Sequence, residues 1–203
     1  MILHTFGDSH SHFPWEGFVV DALKIKVHHL GPKTCASFGF EKFSVLNIKN
    51  GYDVNEGDIV CFSFGEVDCR SNVHKHREQY KELLDKIVEN YFIAIKMNVE
   101  QFNNIHVIVI CVPPVRRKLS YINNVDFPTI GEDGERKVYV EYINNKFSQM
   151  CEAYKYFYLN TYNQYCDNEG FFNSELSDKT VHIRDTKYIR EELMKILNII
   201  KCQ

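Results

Sequence analysis

The first ten residues, MILHTFGDSH (1–10), place a short apolar run directly before a Gly-Asp-Ser turn. A run of this length that ends in glycine predicts a buried strand, Met1–Phe6, whose chain leaves the sheet at Gly7. Ser9 would then stand at the exit of that strand, where a side chain is exposed at the edge of a sheet. The rest of the chain repeats this arrangement of a short apolar run followed by a turn.

Strands and helices are predicted to alternate along the whole chain. The further strands are Lys24–Leu30, Asp58–Phe64, Ile105–Val112 and Tyr156–Leu159. The helices are Pro32–Phe43, Asn72–Asn98, Glu135–Tyr154 and a last one that Asp185 caps and that ends near Ile200. This alternation predicts an α/β protein, a three-layer α/β/α sandwich with a parallel, flavodoxin-like sheet of about five strands. Residues 113–134 and 160–184 remain as long irregular segments.

Length and composition favour one ordinary domain, 1–203. The hydrophobic fraction of 44% is enough for one core, and the formal charge of −3 gives no basic footprint for nucleic acid or a membrane surface. No apolar run approaches the roughly 20 residues of a membrane span, and the start has no basic segment typical of a signal peptide. The seven cysteines form no CxxC pair, which indicates free thiols in a reducing compartment. We therefore expect a cytoplasmic protein, and its oligomeric state stays open.

Glycine and polar residues follow the predicted strands and should meet at one edge of the sheet. Gly31 follows the second strand, Gly65 follows the third, and His182 precedes the last helix. Because the carboxyl ends of parallel strands share one edge, we expect these residues beside Ser9. A histidine in that place can take the proton of a serine, and glycine lets backbone N–H groups approach a developing oxyanion.

This set of residues resembles the SGNH/GDSL hydrolase family. The matching pieces occur in the family's order: Gly7-Asp8-Ser9, Gly31 in LGPKT, Gly65 to Asp68 in FGEVD, and Asp178 and His182 in SDKTVHI. The resemblance implies that Ser9 attacks an acyl carbonyl while His182 acts as general base. It also implies that Asp178 orients the imidazole, and that the N–H groups of Ser9 and Gly31 face the oxyanion.

Two departures from the family pattern bear on the site. Val67 stands where the family has an asparagine that donates to the oxyanion, and Arg70 is the candidate to replace that donor. Asp178 and His182 are four residues apart where the family usually shows three, so Glu175 is an alternative partner for the ring. We further expect contacts with substrate or the oxyanion from these residues: Gly65, Asp8, His10 and Asp68.

The resemblance leads us to expect a serine-dependent esterase that needs no cofactor and no metal. Its substrate would be a small-molecule or glycan acyl ester, most simply an O-acetyl group on a sugar, because the string FGEVDCR resembles a sub-group met beside sugar-modifying enzymes. Aromatic residues in the irregular segments would supply stacking faces: Phe13, Trp15, Tyr121, Phe127, Phe171 and Phe172.

Three alternatives stay open. A sugar O-acyltransferase would use the same acyl-enzyme. A metal-dependent phosphoesterase would use Asp8 and His10, whose Asp-x-His spacing suits metals. A non-catalytic glycan-binding relic is the third, because Val67 removes an oxyanion donor.

Overall fold

The computed structural model describes residues 1–20, 23–118 and 127–202, so Tyr121 lies outside the described residues. Five strands form one sheet in the order β2-β1-β3-β4-β5, and every neighbouring pair is parallel. The parallel sheet and the predicted α/β class are thus confirmed. The strands are β1 (Ile2–Gly7), β2 (Lys24–His29), β3 (Ile59–Ser63), β4 (His106–Ile110) and β5 (Phe157–Leu159).

The α-helices are α1 (Cys35–Glu41), α2 (Tyr80–Val99), α3 (Asp133–Tyr154) and α4 (Lys187–Lys201). Thr34 caps α1, because its hydroxyl accepts the Ser37 N–H at 2.8 Å and the Ser37 hydroxyl accepts the Thr34 N–H in return. The cap of α4 is Thr186, one residue later than predicted, although the Asp185 carboxylate still accepts the Lys187 N–H at 3.0 Å.

The predicted helix Asn72–Asn98 is wrong in its first part. A π-helical turn, Asp68–Asn72, and a 3-10 segment, Val73–Gln79, precede α2, and the backbone kinks at His76. The segment that follows residue 127 competes for this backbone, because the Ile130 N–H donates to the Arg70 carbonyl at 3.0 Å. The wide π-helical turn accommodates this hydrogen bond, whereas the regular hydrogen bonds of an α-helix would not.

The two faces of the sheet bury alternate residues of each strand. Val60 and Phe62 of β3 lie in a large core with α1, α2 and α3, whereas Ile59 and Cys61 lie in a second core with α4. Successive side chains of a strand point to opposite faces, so one short apolar run serves both layers. The result is the three-layer arrangement, with the carboxyl ends of the strands free to carry a site.

The ends of β1 and β3 approach each other very closely at Gly7. A Cβ atom on Gly7 would lie 1.9 Å from the Ser63 carbonyl oxygen, which no side chain could tolerate. The Asp8 N–H donates to the same oxygen at 3.2 Å. The chain therefore turns immediately after Gly7.

A pair of histidines, His4 buried and His28 half-buried, lies on the neighbouring strands β1 and β2. His4 Nδ1 and His28 Nε2 are 3.0 Å apart, and His4 Nε2 lies 3.4 Å from the Asp58 carboxylate. Burial lowers the pKa of His28 to about 4 and also lowers the pKa of His4, despite the opposing charge of Asp58. Both rings are therefore neutral in the folded protein near neutral pH.

We expect the free energy of unfolding to fall as the pH drops from about 6.5 towards about 4. In this window the unfolded chain protonates His4 and His28 whereas the folded chain does not, so added protons favour unfolding. His28→Phe should make this dependence shallower, and His76→Phe, which removes an exposed histidine, should leave it unchanged. Urea denaturation at several pH values measures the dependence, and constant stability across the window would contradict the prediction.

Candidate active site

Ser9 lies at the first turn beyond β1. It begins a short 3-10 turn, Ser9–Ser11, and its own side chain is partly exposed. The turn is held from below, because the Ser11 hydroxyl donates to the Asp8 carbonyl at 2.8 Å and the Thr5 hydroxyl donates to the Ser11 carbonyl at 2.7 Å. These bonds leave the Ser9 hydroxyl as the polar group that the turn presents at the sheet edge.

His182 meets Ser9 from the loop before α4. Its Nε2 lies 2.9 Å from the Ser9 Oγ, which is hydrogen-bond distance for a base and the hydroxyl it activates. An antiparallel bridge between Ser177 and Ile183 closes this loop. Phe13 stacks on the other side, with ring centroids 4.1 Å apart.

The other ring nitrogen of His182 has two oxygen partners. Nδ1 lies 3.1 Å from the Asp178 Oδ2 and 2.7 Å from the Thr180 Oγ1. The Thr180 hydroxyl in turn donates to the Asp178 Oδ1 at 2.6 Å, so its lone pair is free to accept from Nδ1. Glu175, the alternative partner, is exposed and makes no such bond. Thr180 was not a predicted residue of the site.

The protonation states suit a base at His182. Burial first, and then the charge of His10, lower the pKa of His182 to about 4. Burial raises the pKa of Asp178, but hydrogen bonds from Thr180 and His182 outweigh it and hold that pKa below its usual value. Near neutral pH the site therefore combines a carboxylate, a neutral imidazole and a hydroxyl.

Two backbone N–H groups, those of Ser9 and Gly31, are the candidate donors to an oxyanion. Gly31 follows β2 with φ +75°, a conformation that favours glycine. Within the described ranges, neither the Ser9 N–H nor the Gly31 N–H is used in a hydrogen bond. Val67 is buried and carries no donor. The oxyanion roles of Ser9 and Gly31 stay predictions.

Arg70 is committed to protein partners. Its Nε donates to the Glu66 carboxylate at 2.6 Å, and its Nη1 donates to the Phe127 carbonyl. The side chain lines a cavity together with Val181, which precedes His182 in the loop. A contact between Arg70 and the oxyanion stays a prediction, and the carboxylate of Glu66 competes for its charge.

The Asp68 side chain is bonded to the start of α1, and its contact with substrate stays a prediction. Its side chain is fully buried, and its two oxygens accept the N–H groups of Cys35 at 2.7 Å and Ala36 at 3.1 Å. Burial, opposed by these bonds, raises the pKa of Asp68 to about 6. The carboxylate thus binds the first turn of α1 and anchors it to the end of β3.

Three further residues expected at the substrate are buried, and their contacts with substrate stay predictions. Asp8 is 1% exposed and accepts the His10 N–H at 2.9 Å, and His10 is 5% exposed with Nε2 3.1 Å from the Val181 carbonyl. Gly65 is buried, and a Cβ there would lie 2.8 Å from Val112 Cγ2. The three support the strand exits from below.

The aromatic residues of the irregular segments divide into two groups. Phe13 is 44% exposed beside His182. Trp15 and Phe172 are buried in the core beneath α4, and Phe171 lies under the guanidinium of Arg117. Among these residues Phe13 alone has a large exposed face and also contacts the triad of Ser9, His182 and Asp178.

Other features of the described ranges concern metals and membranes. Within residues 1–20, 23–118 and 127–202, no three His, Cys, Asp or Glu side chains are grouped as metal ligands would be. No helix in the same part of the chain combines the length and the apolar character that a bilayer span requires. The cysteines are free thiols, and most of them are buried.

Comparison with known proteins connects this geometry to a known fold. No protein-family model matches the chain, and no curated protein matches it. Solved structures do match, over nearly the full length of both chains. A GDSL-like lipase from Bacteroides thetaiotaomicron superposes with a TM-score of 0.62 and 15% identity, covering 100% of this chain and 89% of that one. The chain has the SGNH/GDSL hydrolase fold.

Two further solved structures share the fold at low sequence identity. A protein from Streptococcus pneumonia matches with a TM-score of 0.69 and 14% identity, covering 97% of this chain and 83% of that one. A carbohydrate acetylesterase from Sinorhizobium meliloti matches with a TM-score of 0.55 and 13% identity, covering 98% of this chain and 99% of that one. The resemblance to the SGNH/GDSL family is confirmed at the level of the fold.

If Thr180 shares the Nδ1 proton of His182 with Asp178, each partner should compensate in part for loss of the other. We expect Asp178→Asn and Thr180→Val each to lower kcat by about tenfold to a hundredfold. The double variant should raise the activation free energy by more than the sum of the two single increases. Thr180→Ser, which keeps the hydroxyl, is the matched control. Full activity in Thr180→Val would show that Asp178 alone orients the ring.

Proposed function

We propose that this chain is a serine-dependent hydrolase of acyl esters. The observation that carries the proposal is the continuous chain of hydrogen bonds from the Ser9 Oγ through His182 to Asp178 and Thr180. A nucleophile bonded to a base, which is itself oriented by a third group, is the arrangement that activates a hydroxyl.

In the first half of the reaction the Ser9 Oγ attacks the carbonyl carbon of the ester. The hydroxyl proton passes to His182 Nε2, and the imidazolium that forms is stabilised by the Asp178 carboxylate. The oxyanion of the tetrahedral intermediate would accept from the Ser9 and Gly31 N–H groups. Collapse breaks the bond to the alcohol oxygen, and His182 returns the proton to that oxygen.

The second half releases the acyl group from Ser9. Water enters, His182 removes one of its protons, and attack on the acyl carbon regenerates the Ser9 hydroxyl and frees the acid. A sugar hydroxyl in place of water would make the same intermediate into an acyl donor. How well the site excludes water decides between hydrolysis and transfer.

For the alcohol part of the substrate we propose a sugar that carries an O-acyl group, most simply acetyl. Phe13 supports this choice, because its ring is 44% exposed and stacks on the imidazole of His182, the group that gives the leaving alcohol its proton. Sugar rings stack on such aromatic faces. The similarity to the Sinorhizobium meliloti carbohydrate acetylesterase fits the same substrate class.

The central test compares ester hydrolysis by wild type, Ser9→Ala and His182→Ala on p-nitrophenyl esters of increasing acyl length. Each substitution should lower kcat/KM by on the order of 10⁴-fold, and the double variant should be little worse, because the two groups act in one step. Ser148→Ala, which changes an exposed serine of α3, is the matched control and should keep wild-type activity.

Two additional experiments, covalent labelling and treatment with a chelator, distinguish the alternatives. A serine-directed phosphonate probe should label wild type and leave Ser9→Ala unlabelled, and absence of labelling in wild type would favour a binding relic. Activity that survives Ser9→Ala but disappears with a chelator would favour the metal-dependent phosphoesterase and overturn the proposal.

The role of Phe13 can be tested with two acetyl esters that differ in the alcohol. Phe13→Ala should raise KM for an acetylated monosaccharide by about tenfold, the cost of roughly 1.4 kcal/mol of stacking. KM for ethyl acetate, whose alcohol has no ring, should change much less, and Phe13→Tyr should behave like wild type. Equal losses on both esters would mean that Phe13 only supports the His182 ring.

A further inference from the structure

The buried histidine His10 has a hydrogen-bond acceptor at each ring nitrogen. Nδ1 lies 3.3 Å from the Asp8 Oδ1, and Nε2 lies 3.1 Å from the Val181 carbonyl oxygen. A carbonyl oxygen and an ionised carboxylate can only accept, so both ring nitrogens must carry a proton for both contacts to be hydrogen bonds. The geometry thus selects the imidazolium form of His10.

The charges around His10 agree with that form. Asp8 faces it from the exit of β1, and the Glu66 carboxylate, which also pairs with Arg70, faces it from the exit of β3. Burial alone would lower the pKa of His10, but the hydrogen bond and charge of Asp8, together with the charge of Glu66, raise it. The pair is shielded from solvent, since His10 is 5% exposed and Asp8 1%.

His10 also joins the two segments that form the triad. It is the residue after Ser9, and its acceptor Val181 is the residue before His182. The rings of His10 and His182 lie with centroids 5.1 Å apart. One hydrogen bond therefore ties the backbone of the base-bearing loop to the turn that carries the nucleophile.

We propose that His10 is a positioning residue, whose imidazolium holds the Val181 carbonyl so that His182 faces Ser9 and whose positive charge adds to burial in disfavouring a second charge on the His182 ring. The proposal rests on the proposed hydrolase function, because His10 acts through His182. Among the residues that the structure describes, the groups that face His182 are Ser9, His10, Glu66, Asp178, Thr180 and Phe13. Of these, His10 alone supplies a positive charge, so its removal should make His182 easier to protonate.

The first experiment needs no turnover. Nitrogen-15 NMR of Ser9→Ala, labelled at histidine, should show both ring nitrogens of His10 protonated at pH 7, with a titration midpoint above 6.5. His182 should be neutral at the same pH. Assignment comes from His10→Gln and His182→Gln in the same background. A His10 ring that is neutral at pH 7 would overturn the proposal, whether or not the protein hydrolyses esters.

The second experiment separates positioning from charge. His10→Leu removes both bonds and the charge, and should lower kcat by about tenfold to a hundredfold with little change in KM. His10→Gln keeps an amide donor for the Val181 carbonyl and should recover part of that loss. In both variants the acid limb of the kcat/KM profile should move to higher pH, because the cation beside His182 is gone.

The shift of the acid limb distinguishes this role from a merely structural one. A structural role would lower the melting temperature and kcat of both variants but leave the limb where wild type has it. Full activity with an unmoved limb in His10→Gln and His10→Leu would contradict the proposal. If wild type itself hydrolyses no ester, the proposed function fails, while the NMR result still reports on the protonation of His10.

Discussion

The close approach of β1 and β3 at Gly7 is the constraint on which the site depends. With only a hydrogen atom between its Cα and the Ser63 carbonyl, the chain must turn at once, and the Asp8 N–H satisfies that carbonyl. The turn sends the Asp8 carboxylate inward and the next side chain, that of Ser9, outward. Any larger residue at Gly7 would separate the two strands and displace the nucleophile. The packing of the sheet and the geometry of the site therefore depend on the same glycine.

Next to the Ser9–His182 pair lies a layer of largely buried charge. Asp8 with His10, and Glu66 with Arg70, form two ion pairs at the exits of neighbouring strands. Burying charges is costly unless each has a partner, so such groups are a poor way to stabilise a fold. Their value here is geometric, because His10 also reaches the Val181 carbonyl and Arg70 the Phe127 carbonyl, so each pair is bonded to a neighbouring loop.

Much of the architecture could be predicted because short apolar runs in a parallel sheet carry a simple signal. Val60 and Phe62 on one face, and Ile59 and Cys61 on the other, make β3 apolar throughout. The positions of Ser9 and His182 followed from the same logic, since both lie beyond strand ends. That logic says which residues reach an edge but not which way a side chain turns there, so it could not show that the Asp68 carboxylate accepts the N–H groups of Cys35 and Ala36. Thr180 and His10 were missed as partners of the triad because their bonds depend on the path of a loop without periodicity.

The Ser9–His182 bond joins residues that are 173 positions apart. During synthesis on a ribosome, β1 and its serine emerge early, long before the loop that carries the histidine. A nascent chain would therefore display an inert hydroxyl until the loop and α4 have left the exit tunnel and docked against the sheet. Ser9 therefore becomes reactive only when the domain is complete. Chains that stop before the loop would lack the histidine that accepts the serine proton.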